Sequence, residues 1–221
     1  MCGRFAFYSP HEAVRALFGI ALPGPDTPRY NLAPTQAVPV LRAGAGGTPE
    51  GAWLRWGLVP SWAKDPAIGN RLINARVETV AEKPAFRGAF RHQRCVVLAD
   101  GFYEWQPRPG GKQPHFIAPA AGGLLALAGL WELWQPPGGD ALETCTIITT
   151  AATGAAAGVH DRMPLTVPPA LLATWLTAPP ATALAAVVGA TPVALAAVPV
   201  SRAVNDPHHD GPELLRPVAD S

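Results

Sequence analysis

Residues 94–105, RCVVLADGFYEW, are rich in β-branched and aromatic residues, the composition of a β-strand. Segments of the same character flank it in both directions. Before it come FAFY (Phe5–Tyr8), AVPVLR (Ala37–Arg42), AWLRWGLV (Ala52–Val59) and LINARVET (Leu72–Thr79). After it come HFIA (His115–Ala118), LLALAGLWEL (Leu124–Leu133), TCTIITT (Thr144–Thr150) and VALAAVPVS (Val193–Ser201). Helical patterns are confined to a few places. Ser9-Pro10-His11-Glu12 supplies an N-cap, a proline at the first helical position and a carboxylate three residues after the cap, with Gly19 as the stop. Two more patterns cover Pro169–Thr177 and Ala181–Val188. Strands follow strands with no βαβ alternation, which argues against a doubly wound parallel sheet. GGTPEG (46–51) and QPPGGD (135–140) each lie between strands and read as hairpin tips. The expectation is one α+β domain over residues 1–221. It is built from curled, mainly antiparallel, barrel-like sheets with a few flanking helices, and has a polar tail from about residue 205.

Composition narrows the function classes. Hydrophobic residues are 48% and charged residues 15% of the 221, enough for a core and too few charges for a disordered chain. Every apolar run is broken before the roughly 18 residues that a membrane span needs. The net charge of +1 conceals an asymmetry: residues 1–94 hold 12 Lys+Arg against 6 Asp+Glu, and residues 95–221 hold 5 against 10. The first half can therefore meet an anion despite the neutral total. Fourteen of the 17 basic residues are arginine, whose fork suits phosphate, although scattered surface charge gives the same count.

Cysteines at 2, 95 and 145 form neither a disulfide framework nor a zinc pattern, and the N-terminus lacks a signal sequence. Both features suit a cytoplasmic protein with reduced thiols. No phosphate loop, dinucleotide glycine signature or metal-ligand cluster occurs, and no cofactor is implied. His208-His209, beside Asp206 and Asp210, reads as a solvated turn.

Several residues are equipped for chemistry. Removal of Met1, common when residue 2 is small, would leave Cys2 with both a thiol and a free α-amine. Unperturbed, these titrate near about 8.5 and 7.7–8.0, so both would have nucleophilic fractions near neutrality. Such an aminothiol condenses with an aldehyde to an imine and then closes to a five-membered thiazolidine. The alternative is a small residue at a frayed end. His160, in VHDRMP, is a proton shuttle or a hydrogen-bonded structural histidine. Glu104, between Tyr103 and Trp105, is an acid/base with a raised pKa or a strand residue facing solvent. Asn74 and Arg76 share a strand face, and Cys2 and Arg4 have the same spacing, so each pair sets an orienting or reactive group beside a guanidinium. Trp62, after a Pro-Ser turn and before Lys64, is the candidate base-stacking platform, while Trp53 and Trp56 read as packing.

Taken together, MCGRF (1–5), YNLAPTQ (30–36), WGLVPSWAKD (56–65), INARVET (73–79), ADGFYEW (99–105), IITT (147–150), VHDRMP (159–164) and PVSRAVN (199–205) resemble the SOS-response-associated peptidase (SRAP) family. The resemblance implies covalent capture of abasic sites in single-stranded DNA by a monomer, shielding the lesion, with contacts to replication machinery open. It implies that processed Cys2 attacks the sugar aldehyde, Glu104 and His160 move protons, and Asn74 orients the amine. It implies DNA contacts at Arg4, Pro34, Trp62, Arg76 and Arg162. The family's peptidase name refers to processing of its own N-terminus. Where some relatives have a second aromatic after the tryptophan, this chain has Ala63, and the ATGAAAG segment before VHDRMP lacks polar residues often present there. An N-terminal-nucleophile glutamine amidotransferase and a non-covalent reader of single-stranded or modified DNA are the competing readings.

Overall fold

The stretch 94–105 folds as two strands in different sheets, with Asp100 turning the chain between them. The computed structural model describes residues 2–219, apart from the side chain of Ala45. In chain order the strands are β1 (Arg4–Phe7), β2 (Arg29–Leu32), β3 (Ala37–Ala43), β4 (Pro49–Trp56), β5 (Asn74–Arg76) and β6 (Arg94–Ala99). They continue with β7 (Gly101–Arg108), β8 (Gly111–Pro119), β9 (Leu125–Trp134), β10 (Leu142–Ala151), β11 (Arg162–Pro164) and β12 (Leu195–Pro199). The helices are α1 (His11–Phe18), α2 (Arg87–His92), α3 (Gly154–Ala157), α4 (Leu172–Thr177) and α5 (Pro180–Val188).

One sheet has the order β12-β8-β7-β1-β2 and is antiparallel throughout. In the other, β4, β3, β6 and β9 follow β10 in turn, and β9 pairs β10 again, which closes a five-stranded barrel. Closure removes exposed edges from a sheet whose strands β6 and β9 bury nearly every side chain. β10 is long enough to serve two functions. Its first half belongs to the barrel; its second half carries β5 in parallel and β11 antiparallel. The expected α+β class and barrel-like sheets are present, and the parallel β10–β4 and β10–β5 pairings are the exception to the antiparallel rule. The predicted hairpin tips join β3 to β4 and β9 to β10, and α4 and α5 form where the sequence placed helices.

Three local expectations need correction. LINARVET is strand only at its centre, Asn74–Arg76, because the chain turns from Val77 onward, and AWLRWGLV ends as a strand at Trp56. Ser9 does not cap α1. Its hydroxyl donates to Asp100, which also accepts the amides of Tyr8 (2.6 Å) and Ser9 (2.8 Å), and Pro10 occupies the cap in an extended conformation. The buried Asp100 competes for Ser9 more strongly than a helix end does, because an unpaired carboxylate there would be costly. Gly19 does stop the helix, in the left-handed conformation with φ 71°.

The C-terminal segment is polar and exposed at His208, yet Val204 and Leu214 are fully buried. Asn31 donates to the carbonyls of Val204, Asp206 and His209, tying this segment to β2.

Arg94 is a buried cation engaged at two helix ends. It donates to the carbonyls of Phe90 and Arg91 at the end of α2, and to those of Trp175 and Ala178 at the end of α4. One guanidinium thus satisfies carbonyls that two helix termini leave open. Arg94→Met keeps the stem and removes the donors. The expected cost is about 3 kcal/mol, read as a lower urea midpoint with an unchanged m-value.

Candidate functional site

The antiparallel register Arg4↔Tyr103 lays the N-terminal residues along the start of β7, where Glu104 lies. Cys2, two residues before the start of β1, is fully buried, with its thiol 3.8 Å from the Arg4 carbonyl. Its main chain is held from the opposite sheet: Asn74 on β5 donates through Nδ2 to the Cys2 carbonyl at 2.7 Å. The other atom of that amide, Oδ1, is buried and accepts no hydrogen bond from the described residues. An amide anchored by one end, with an orphaned acceptor at the other, is a seat for a donor.

Glu104 is 2% exposed, and burial raises its carboxyl above the ordinary range, with a smaller opposing effect from His160. The His160 Nε2 lies 4.0 Å from Oε2 of Glu104. On the far side of the ring, Nδ1 is 3.0 Å from the donating amide of Arg162 and 2.7 Å from the Asp161 carboxylate. When Nδ1 accepts from that amide, the ring proton is on Nε2, toward Glu104. When Nδ1 is protonated, it donates to Asp161. The loop is held by Gln106 of β7, donating to the Gly158 carbonyl at 2.7 Å, and by the Ala152 amide, donating to the Asp161 carbonyl at 2.9 Å.

One electrostatic expectation is overturned. The Cys2 thiol is not near its unperturbed value: burial pushes it well up, and the Glu104 carboxylate adds to the effect. At neutral pH this sulfur carries its proton. Met1, whose removal the aminothiol chemistry requires, lies outside the described residues.

Asn74 also lines an open groove of about 510 Å³ together with Trp62, Arg71, Arg76 and Lys83. Trp62 is 59% exposed at its rim, and Arg76, two residues beyond Asn74 on β5, is exposed. Arg71 and Lys83 escaped sequence reading because nothing in their local spacing marks them. The basic excess of the first half was the available signal.

The other proposed DNA contacts lie elsewhere. Arg4 donates to the Val204 carbonyl at 2.7 Å and to Asn31 Oδ1 at 3.3 Å, so its guanidinium faces the C-terminal segment. Arg162 is mostly buried on Glu78 and Thr149. Pro34 lies in the tight turn between β2 and β3, beside Thr35 with φ 75°, and outside the lining of the Trp62 groove. The structure therefore gathers Cys2, Asn74, Glu104 and His160 at one place and joins Trp62 and Arg76 to it through Asn74.

A family profile described as SOS response associated peptidase (SRAP) matches residues 1–207. The chain belongs to the SRAP family. Every residue of the cluster around Cys2 falls within the SRAP match. The abasic site processing protein YoqW of Bacillus subtilis (strain 168) is 44% identical over 169 residues, 75% of each chain. The abasic site processing protein HMCES of Gallus gallus is 39% identical over 192 residues, 75% of this chain and 56% of that one. A crystal structure of a protein from Bacteroides thetaiotaomicron shares the fold, with a TM-score of 0.85 at 22% identity over 98% of this chain and all of the other.

Proposed function

We propose that this SRAP protein processes abasic sites in single-stranded DNA by bonding covalently to the sugar aldehyde through Cys2. The observation that carries the reading is the seat around Cys2. Its carbonyl is fixed by Asn74, whose second amide atom awaits a donor, and Glu104 and His160 form an acid/base pair at the same place. The names of the relatives point to the substrate.

The steps balance as a condensation. With Met1 removed, the Cys2 amine donates to Asn74 Oδ1 and adds its lone pair to the C1′ aldehyde of the ring-opened sugar. Glu104 gives its proton to the ring oxygen, and the C1′ hydroxyl releases its own proton to water as the aldehyde forms. The resulting carbinolamine loses water as the imidazolium form of His160 protonates the departing hydroxyl, leaving a protonated imine and a neutral His160 that takes back a proton from water. Sulfur then bonds to the imine carbon. Its proton passes to the Glu104 carboxylate, which restores the acid, and a thiazolidine and one water are the products. A thiol held protonated by burial needs such an acceptor, and the amine rather than the thiolate makes the first attack. The product removes the aldehyde whose electron withdrawal makes β-elimination easy, which protects the strand.

The test is incubation of the processed protein with an oligonucleotide bearing one abasic site, followed by a denaturing gel. A shifted band supports capture. DNA binding that vanishes completely on denaturation supports a non-covalent reader and defeats capture.

The groove supplies affinity. Trp62→Ala is expected to weaken binding to an oligonucleotide with an unreactive abasic analogue by about 1–3 kcal/mol through lost stacking. Arg76→Ala is expected to weaken it evenly across sequences and to lower the salt slope by about 1. Fluorescence anisotropy over a salt series checks both.

A further inference from the structure

The Glu78–Arg162 ion pair lies behind the reactive cluster, and the mechanism above gives it no part. Arg162 Nη1 donates to Glu78 Oε1 at 2.6 Å and Nη2 to Oε2 at 3.0 Å, a forked pair. Nη2 also donates to the Thr149 carbonyl at 2.6 Å and reaches its hydroxyl at 3.3 Å. The same residue's backbone amide donates to His160 Nδ1. Glu78 follows β5, and Arg162 opens β11. Both strands hang on the second half of β10, where Thr149 pairs with Arg76 on one side and with Pro164 on the other. The pair therefore joins the strand bearing Asn74 and Arg76 to the loop bearing His160.

We infer that Glu78 is a positioning residue which, through Arg162, fixes the rotamer and the tautomer of His160. The inference rests on the abasic-site reading above and adds to it a determinant that touches neither DNA nor the reacting atoms. Its logic is geometric. The Arg162 amide can donate to Nδ1 only while Arg162 stays against β10, where its backbone pairing with Ala151 is reinforced on the side chain by the forked Glu78 carboxylate. With the amide in place, Nδ1 accepts and the ring proton points from Nε2 toward Glu104. The Asp161 carboxylate, 2.7 Å from Nδ1, competes for a proton there, so a weakened amide contact shifts the ring toward the tautomer whose basic Nε2 faces Glu104. The Glu78 side chain is 51% exposed, so its replacement leaves no large hole. Glu78 also lies near enough to the Arg76 guanidinium to feel its charge. Removing its charge makes the groove more attractive to DNA, which separates a defect in His160 from a defect in binding.

The experiment compares wild type with Glu78→Gln and, as a control from the same loop, Glu82→Gln. Proton–nitrogen spectra of histidine-labelled protein report the ring, with the His160 signals assigned by their loss in His160→Phe. A single-turnover gel assay with an abasic oligonucleotide reports adduct formation, and anisotropy with the unreactive analogue reports binding. In wild type and Glu82→Gln, His160 is expected as a single Nε2-protonated tautomer. In Glu78→Gln the ring nitrogens shift toward a mixture, and adduct formation slows by roughly tenfold to a hundredfold with no loss of affinity for the analogue. His160 signals superimposed on wild type overturn the inference. So does an unchanged rate, or a slower rate matched by an equal loss of affinity, which would trace the defect to DNA binding rather than to His160. If wild type forms no adduct at all, the capture reading falls; the ring spectra still decide whether Glu78 places His160.

Discussion

Cys2→Ala is expected to abolish the denaturation-stable adduct with abasic DNA while leaving a weak, labile one. The alanine variant retains the α-amine after processing, so an imine still forms. It hydrolyses when the protein is denatured, unless a reductant traps it. What it lacks is the intramolecular second nucleophile. A thiol fixed three bonds from the imine nitrogen acts at an effective molarity that reaches about 10⁵–10⁸ M in well-oriented systems, and the ring it forms resists reopening for the same reason. Borohydride should therefore recover a band for Cys2→Ala, whereas wild type needs no reductant. Because burial pushes the Cys2 thiol up, the wild-type rate should rise with pH as the amine, rather than the thiol, deprotonates. A rate that follows thiol ionisation instead would contradict the buried thiol. A Cys2→Ala band that survives denaturation without reductant would exclude the thiazolidine.

The residues legible from sequence are those whose role follows from residue type and near neighbours. Gly19 stops α1, the β-branched runs become strands, and the Pro-Gly segments become hairpin tips because local chemistry decides each of them. Ser9 shows the limit. Its local pattern is that of a helix cap, but Asp100, ninety-one positions away, holds its hydroxyl instead. The strand order that closes the barrel is equally invisible in the sequence, since it depends on β10 pairing with strands on both of its sides. Within the cluster, the proposed residue types are present, but their electrostatics belong to the fold. The shift of the Cys2 thiol arises from complete burial beside Glu104, which no spacing rule reports. The arginines mark the same boundary from the other side. Arg76 is exposed, whereas Arg4 and Arg162, identical to it as letters, are committed to Val204 and Glu78. Partner choice for a long cation is decided by which carbonyls and carboxylates the tertiary structure leaves nearby.

Glu104→Gln carries the second large effect, and it moves stability and reactivity in opposite directions. The amide is nearly isosteric and neither donates nor accepts the protons of ring opening and thiazolidine closure, so adduct formation should slow by about 10²–10⁴-fold. The fold should gain. Burial holds the Glu104 carboxyl above its ordinary value, so in the folded state its ionised form is penalised relative to the unfolded chain. Below the unfolded value, about 4.3, both states are protonated and no penalty exists. As pH rises through the window between that value and the folded one, the unfolded state releases its proton first. Wild type loses stability across the window, and the loss is complete above the folded value. Glutamine has nothing to ionise. The difference in Tm between Glu104→Gln and wild type should therefore be larger at pH 7 than at pH 4, with the variant the more stable at pH 7. A variant that reacts at the wild-type rate would remove Glu104 from the mechanism. A pH-independent difference in Tm would show that its ionised form is not penalised by burial. Finding both effects together would mean that the protein gives up stability to keep a poorly solvated carboxylate where the thiol proton must go.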